Sequence, residues 1–354
     1  MSAVITGNVV PVVTFTGPSV GVRGQILAFS GAFIDPDADT WTATVNFGDG
    51  SGDLPLALNP DKSFDFTHTF ALDGSRTVTV KVNDGHPEGT GLAMEDVLID
   101  FANLQTGVCC ATTGTALVVG SLSVPDRIHV NPIGNDGSLQ VTITDRTTNV
   151  VVYQHAFVRP SSGFSQIVVF GQTADDYIQI ADSITIPACV RGGAGNDNIK
   201  GGSGEDILLG GDGNDLLVGG SGRDFLIGGI GSDRLVGNAE DDILIAGTTD
   251  FDANEQALCD IMKEWTRSDA GHGVRVGHLR GDAGAGTGLN GSTLLTMDGP
   301  AATVHDDHAA DVETGSAGQD WFLLNLDGDG GVKDKVTDLS AQEFANDIDF
   351  INGV

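Results

Sequence analysis

Between residues 192 and 245 the chain repeats itself every nine residues. The units read GGAGNDNIK from Gly192, GGSGEDILL from Gly201, GGDGNDLLV from Gly210, GGSGRDFLI from Gly219, GGIGSDRLV from Gly228 and a worn GNAEDDILI from Gly237. The shared pattern is G-G-x-G-x-D-x-U-x, with U a large aliphatic residue. Glycines recur at three places in each of the first four units: Gly192, Gly193 and Gly195; Gly201, Gly202 and Gly204; Gly210, Gly211 and Gly213; Gly219, Gly220 and Gly222. They permit left-handed backbone and close approach of neighbouring turns. Such a turn aims backbone carbonyls inward. The sixth position adds a carboxylate: Asp197, Asp206, Asp215, Asp224, Asp233 and Asp242. Hard oxygens of both kinds suit Ca²⁺, which takes six to eight of them at about 2.3–2.6 Å. The eighth position supplies Ile199, Leu208, Leu217, Leu226, Leu235 and Leu244 to a core. One unit cannot bury that side chain alone, so the units must stack. The bland alternative is a flexible Gly/Asp-rich loop. Six copies in register, each with its aliphatic residue, argue against it.

The repeat resembles the RTX, or hemolysin-type, calcium-binding nonapeptide of secreted bacterial proteins, closely over 192–236 and more weakly over 237–245. The resemblance implies a parallel β-roll in which two nonapeptides make one turn and Ca²⁺ sits between stacked loops on each edge. Carried onto this chain, it pairs Asp197 with Asp215, Asp206 with Asp224, Asp215 with Asp233 and Asp224 with Asp242. The metal set so implied comprises these aspartates and the repeat glycines.

The formal charge is −32, from 17 basic and 49 acidic residues, and 41 of the acids are Asp against 8 Glu. Excess Asp points to turns and chelation rather than to solvated helices. The metal-free chain repels itself, and bound Ca²⁺ would relieve part of this. Without a basic patch, nucleic acid is excluded as a partner class. No apolar run reaches eighteen residues, so none has the length of a membrane-spanning helix. The start, MSAVITGNVVPVVTF, lacks the basic region and cleavage site of a secretory signal peptide. Four cysteines, Cys109, Cys110, Cys189 and Cys259, contain no C-x-x-C, which argues against a zinc site or a disulfide scaffold. One bridge is open to them, and spacing does not choose it.

Upstream, Trp41, Ala43, Val45 and Phe47 alternate with polar residues, as do Phe64, Phe66, His68 and Phe70, and Val78, Val80 and Val82. Period two, punctuated by Gly and Asp, predicts a β-sandwich over 1–105, with His68 as a hydrogen-bonded core residue. WTATVNFGDGSG at 41–52 and HTFALDGSRTVTVKVND at 68–84 resemble the PKD domain, an immunoglobulin-like sandwich of extracellular proteins. Ser75-Arg76 stands where that family usually has an aromatic. The resemblance implies a spacer or adhesion module and no catalysis.

Residues 106–170 read as a β lead-in and 171–250 as the roll, with decayed copies at Asp176 and Ile178, and at Asp126 and Ile128. Residues 251–354 read as a small α+β cap. In it DANEQALCDIMKEWTR at 252–267 predicts a helix capped by Asp252, with Leu258, Ile261, Met262 and Trp265 on one face. GSAGQDWFL at 315–323 re-enters the register through Asp320, and Asp311 stands nine residues earlier, with Glu313 in a core slot. Two nonapeptides per turn would place Ile207, Leu209, Phe225, Ile227, Ile243 and Ile245 outward on one sheet. That patch is larger than soluble monomers expose, so the helix, or the strand of Trp321 and Phe322, is expected to cover it. The fold class is therefore mainly β: an immunoglobulin-like sandwich, then a parallel β-roll with a small α+β C-terminal cap.

Other constellations carry less. Asp35, Asp37 and Asp39 offer a second Ca²⁺ turn, with a plain polar turn equally open. His305-Asp306-Asp307-His308 has zinc-type donors but reads best as a solvated turn. Asp327 and Asp329 begin an EF-hand-like string that lacks its later ligands. Gly17-Pro-Ser19-Val-Gly21 matches G-x-S-x-G but precedes a strand rather than a helix. No H-E-x-x-H is present. The expected protein is not an enzyme. It is a secreted or cell-surface, calcium-binding structural or adhesive module that folds on Ca²⁺ and meets surface proteins or glycans. The alternative is the non-catalytic C-terminal part of a larger extracellular enzyme.

Overall fold

A computed structural model describes residues 8–36, 40–110, 113–297, 299–326, 332–340 and 343–347. The chain divides between Asn103 and Leu104 into two units.

In the first unit, Val12–Thr16, Ile26–Ile34 and Ser63–Thr69 make a three-stranded antiparallel sheet. A five-stranded sheet runs in the order Val20–Val22, Thr90–Asp100, Gly74–Asn83, Thr42–Asn46, Leu54–Leu56. Ala43, Val45 and Phe47 from one sheet and Phe15, Phe29 and Phe64 from the other enter a single core, so this is the expected immunoglobulin-like sandwich. His68 stacks on Phe47 with ring centroids 3.6 Å apart, and its Nε2 lies 2.7 Å from Asp49 Oδ2.

The second unit is a parallel β-roll. One sheet stacks Thr115–Gly120, Phe164–Phe170, Ala188–Ala194, Ile207–Asp212, Phe225–Ile230, Ile243–Ile245, Trp321–Leu324 and Phe344–Asp347. The other stacks Asp126–Ile133, Tyr177–Ile180, Asn198–Gly202, Leu216–Ser221, Arg234–Ala239, Val312–Ala317 and Lys335–Val336. Successive coils lie in an eighteen-residue register: Ile199 pairs with Leu217 and Leu217 with Leu235, while Leu208 pairs with Leu226 and Leu226 with Leu244. All six of these side chains are fully buried between the sheets.

The roll extends beyond the perfect repeats in both directions. Ile128 and Ile178 continue the core column below Ile199. The stretch read as a lead-in thus supplies roll strands, with Ser138–Asp145 and Val150–Phe157 added antiparallel at the end of their sheet. At the other end Glu313 pairs with Leu235, and Phe322 with Leu244. The sheets therefore run unbroken through 170 and resume after 250. Residues 312–317 and 321–324 continue the roll instead of capping it.

What intervenes is a helical insertion. Asp233 and Asp311 occupy stacked positions 78 residues apart instead of 18, so the insertion adds 78 − 18 = 60 residues. Helix α1 spans Glu255–Trp265 and helix α2 His272–Arg280. Asn254 caps α1, its Oδ1 accepting from the Ala257 N–H at 3.2 Å. Asp252, the cap expected from sequence, accepts instead from the N–H and hydroxyl of Thr249. That bond holds Asp252 in the preceding turn and delays the helix start.

Leu258, Ile261, Met262 and Trp265 pack with Val276 and Leu279 onto Ile207, Leu209, Phe225, Ile227, Ile243 and Ile245 as one buried cluster. The outward face of this sheet is thereby covered, and Trp321 and Leu323 extend the covered columns from within the sheet. Each side chain so buried is worth about 1.5–3 kcal/mol as an upper estimate. On the opposite sheet Asn198, Lys200, Leu216, Val218, Arg234 and Val236 stay partly or fully exposed.

Candidate metal centre along the roll edges

Each nonapeptide turn places its aspartate at an edge of the roll, where the chain passes from one sheet to the other. Two glycine roles make that turn. The second glycine is left-handed, with φ of 109° at Gly193 and 114° at Gly211. A Cβ on Gly211 would also lie 2.0 Å from the Gly193 carbonyl oxygen of the coil below. The first glycine leaves room for the metal ligand: a Cβ on Gly192 would lie 2.3 Å from Asp197 Oδ2 and 2.5 Å from the Gly210 carbonyl oxygen. Gly210 repeats this with Asp215 Oδ2 at 2.3 Å and the Gly228 carbonyl at 2.4 Å. Carboxylate oxygen and backbone carbonyl therefore converge on one small cradle per repeat. In the worn copy Asn238 and Glu240 hold the left-handed backbone without glycine, at φ 86° and 75°.

The two oxygens of each aspartate have different fates. One accepts a backbone N–H from the coil below, given by an aspartate at every position except Asp206, where Ala188 donates. Asp197 donates to Asp215 Oδ1 at 2.7 Å, Asp215 to Asp233 at 2.7 Å and Asp233 to Asp311 at 2.6 Å on one edge. Asp206 donates to Asp224 at 2.8 Å, Asp224 to Asp242 at 2.8 Å and Asp242 to Asp320 at 2.9 Å on the other. The second oxygen, Oδ2, is buried and has no hydrogen-bond partner at Asp197, Asp206, Asp215, Asp224, Asp233, Asp242, Asp311 and Asp320. A buried carboxylate oxygen without a donor is costly unless a cation meets it. These residues fit Ca²⁺ by that test: orphaned carboxylate oxygens and inward carbonyls, both hard ligands.

Electrostatics agree. Burial pushes the Asp197 carboxyl up to about 7, Asp215 to about 6 and Asp233 to about 8. Burial likewise raises Asp206, Asp224 and Asp242 well above the carboxylate range, and at Asp224 the neighbouring charges of Asp206 and Asp242 add to it. Asp311 rises to about 8 and Asp320 to about 7 for the same leading reason.

One edge shows how the column ends. At Asp176 the second oxygen accepts the Ser121 hydroxyl at 3.0 Å, and at Asp334 it accepts the Asn325 N–H at 2.8 Å. Protein donors thus take over where the orphans stop. The sequence reading did not include Asp334, although Asp334 and Val336 repeat the D-x-aliphatic step. Glu313 fills the core slot above Leu235, fully buried, and burial drives its carboxyl well above the usual range.

The remaining candidates do not assemble. His305 pairs with Asp250 at 2.8 Å and His308 with Asp306 at 2.8 Å, while Asp307 accepts the Gly231 N–H. Asp35 is buried and accepts the Trp41 indole N–H at 3.0 Å; Asp37 and Asp39 lie outside the described residues, as do Asp327 and Asp329. Ser19 sits between two strands. The one bridge left open by the cysteine spacing joins Cys110 and Cys259, 149 residues apart, with Cα atoms 5.2 Å apart. Only the fold brings them together.

Two family models match the chain. The RTX calcium-binding nonapeptide repeat (4 copies) matches residues 191–226 and 227–250, and the PKD domain matches residues 8–96. Among solved structures, the PKD domain of an M14-like peptidase from a Thermoplasmatales archaeon is 23% identical, covering 26% of this chain and 98% of that one at a TM-score of 0.23. No curated protein matches. The chain thus carries RTX calcium-binding repeats behind a PKD domain, both non-catalytic structural modules. No described helix is long and apolar enough to cross a membrane.

Proposed function

We propose that this protein is an extracellular, calcium-binding structural module whose roll is completed by Ca²⁺ along both edges. The observation that carries the reading is the column of buried, donor-less Oδ2 atoms, one per repeat, each beside a first-position glycine. Asp197, Asp206, Asp215, Asp224, Asp233 and Asp242 would hold the ions with the carbonyls of the glycine turns. Asp311 and Asp320 would extend the series past the helical insertion. Bound Ca²⁺ supplies the positive charge that these oxygens lack. Binding energy then becomes folding energy, as in other metal-dependent modules. Extracellular calcium modules bind at about 10⁻⁴–10⁻³ M, so the roll would form outside a cell and remain open within one. The sandwich would act as a spacer or adhesive element toward surface proteins or glycans, and the protein would not itself be an enzyme.

Isothermal calorimetry on the full chain tests this. Several calcium equivalents should bind with heat proportional to roll formation. A chain that takes up no Ca²⁺ at millimolar concentration would refute the reading.

A further inference from the structure

The sulfurs of Cys109, Cys110 and Cys259 all lie within 4.8 Å of one another. Cys189 lies in Ala188–Ala194, in the same outward column as Ile207, Phe225, Ile243 and Trp321. Helix α1 brings Cys259 over the end of that column, and the Cys109–Cys110 segment closes it. Cys110 is bonded to Cys259. Cys109 Sγ lies 3.9 Å from Cys110 Sγ, and the Cys109 N–H donates to Glu255 Oε2 at 3.0 Å, which ties this segment to the first residue of α1. Cys109 and Cys189 are both buried thiols, and each is the leading influence on the other, Cys189 lowering the Cys109 thiol and Cys109 raising that of Cys189.

We infer that Cys109 and Cys189 form a second disulfide, so that adjacent cysteines carry two bridges, one to the roll sheet and one to the helix that covers it. Two neighbouring thiols oxidise wherever a disulfide reagent reaches them before burial is complete. The Cys109 thiolate attacks a low-molecular-weight disulfide and releases one thiol. The Cys189 thiolate then attacks Cys109 Sγ and releases the second. The protein loses two protons and two electrons, and the reagent leaves as two thiols. The bridges would fasten the start of the roll to the insertion without involving any metal ligand. The inference rests on the extracellular reading only for where such an oxidant is met, so the test is carried out in vitro.

The full chain is refolded with calcium in oxidised and reduced glutathione, denatured and alkylated. Wild type should take no label before reduction and four after. Cys110→Ser/Cys259→Ser should take none before and two after, as a monomer on a non-reducing gel. Two labels on unreduced wild type, or two free thiols in the double variant, overturn the inference. If the double variant does not fold, peptide mapping of oxidised wild type decides. A cluster joining the peptides of 109–110, 189 and 259 is expected, and a free peptide of Cys189 contradicts it. Loss of calcium binding with both bridges intact would count against the calcium reading alone.

Discussion

The sandwich and the roll are both β, yet they treat their aspartates in opposite ways. In the sandwich the acids are met by protein donors. Burial opposes the charge of Asp49, but hydrogen bonds from the Ser51 side chain and backbone and from His68 outweigh it and hold the carboxyl down at about 2. Bonds from Lys81 and Asn46 lower Asp53, and those of Ser63 lower Asp61. In the roll the acids are buried against carbonyls and one another, and their carboxyls rise. The first arrangement is complete as a protein. The second is complete only with a cation or a proton. The core differs too: the sandwich buries aromatic clusters, whereas each roll repeat contributes one inward aliphatic residue.

The largest effect that should separate the two regions is pH without calcium. A carboxyl raised in the folded state adds stability in acid, and that stability is lost as pH rises through its folded value. For Asp215, Asp197 and Asp233 the loss begins above the ordinary value of 3.8 and is complete once pH has passed about 6, 7 and 8 respectively. Asp49 has the opposite sign: its contribution is present above its ordinary value of 3.8 and lost as pH falls toward about 2. In chelator the roll should therefore show more β-sheet circular dichroism at pH 5 than at pH 8.5, while the sandwich is unchanged. A roll that gains structure as pH rises would break the comparison.

Second in size is the cover on the roll. Trp265 is fully buried, with Nε1 donating to the Asp241 carbonyl at 2.8 Å and its ring under the Arg275 guanidinium. Trp265→Ala should cost about 3–5 kcal/mol in the calcium-loaded roll transition and leave that of the sandwich in place. Differential scanning calorimetry reads both.

Third is the ladder. Asp215→Asn removes charge beside an orphaned oxygen and should shift the calcium midpoint about tenfold or more. Asp176→Asn, where Ser121 already serves the second oxygen, should move it by about twofold or less. Equal shifts would erase the distinction between orphaned and satisfied positions.

The smallest effect is local. Asn254→Ala should cost about 1 kcal/mol through the lost cap of α1, leaving calcium stoichiometry unchanged.

What the sequence made legible follows the range of the forces involved. The repeat is local and periodic, so spacing marks Ile199 and Leu217 as core residues and Asp215 as a ligand, while their stacking at two units per coil follows from the RTX resemblance. The patch of Ile207, Phe225 and Ile243 was legible because a roll fixes which positions face outward. Helix α2 was not. His272–Arg280 holds two glycines and no apolar stripe, and is fastened by tertiary contacts: Arg275 to the Trp265 carbonyl at 2.7 Å and His278 to Glu264 at 2.6 Å. The return of the chain to the roll was half legible, since Asp320 kept the register while a 60-residue insertion hid which coil it joined. The cysteine pairing depends on contacts across 149 residues, for which spacing has no signal.

Hydrogen exchange read by mass spectrometry, on the full chain at pH 7.5 with millimolar calcium and with chelator, tests the central claim most directly. Backbone amides in strands from 188 to 245 should be protected with calcium and exchange freely without it, while those of Ile26–Ile34 and Gly74–Asn83 stay protected in both. Equal protection of the 188–245 strands in the two conditions would contradict the account.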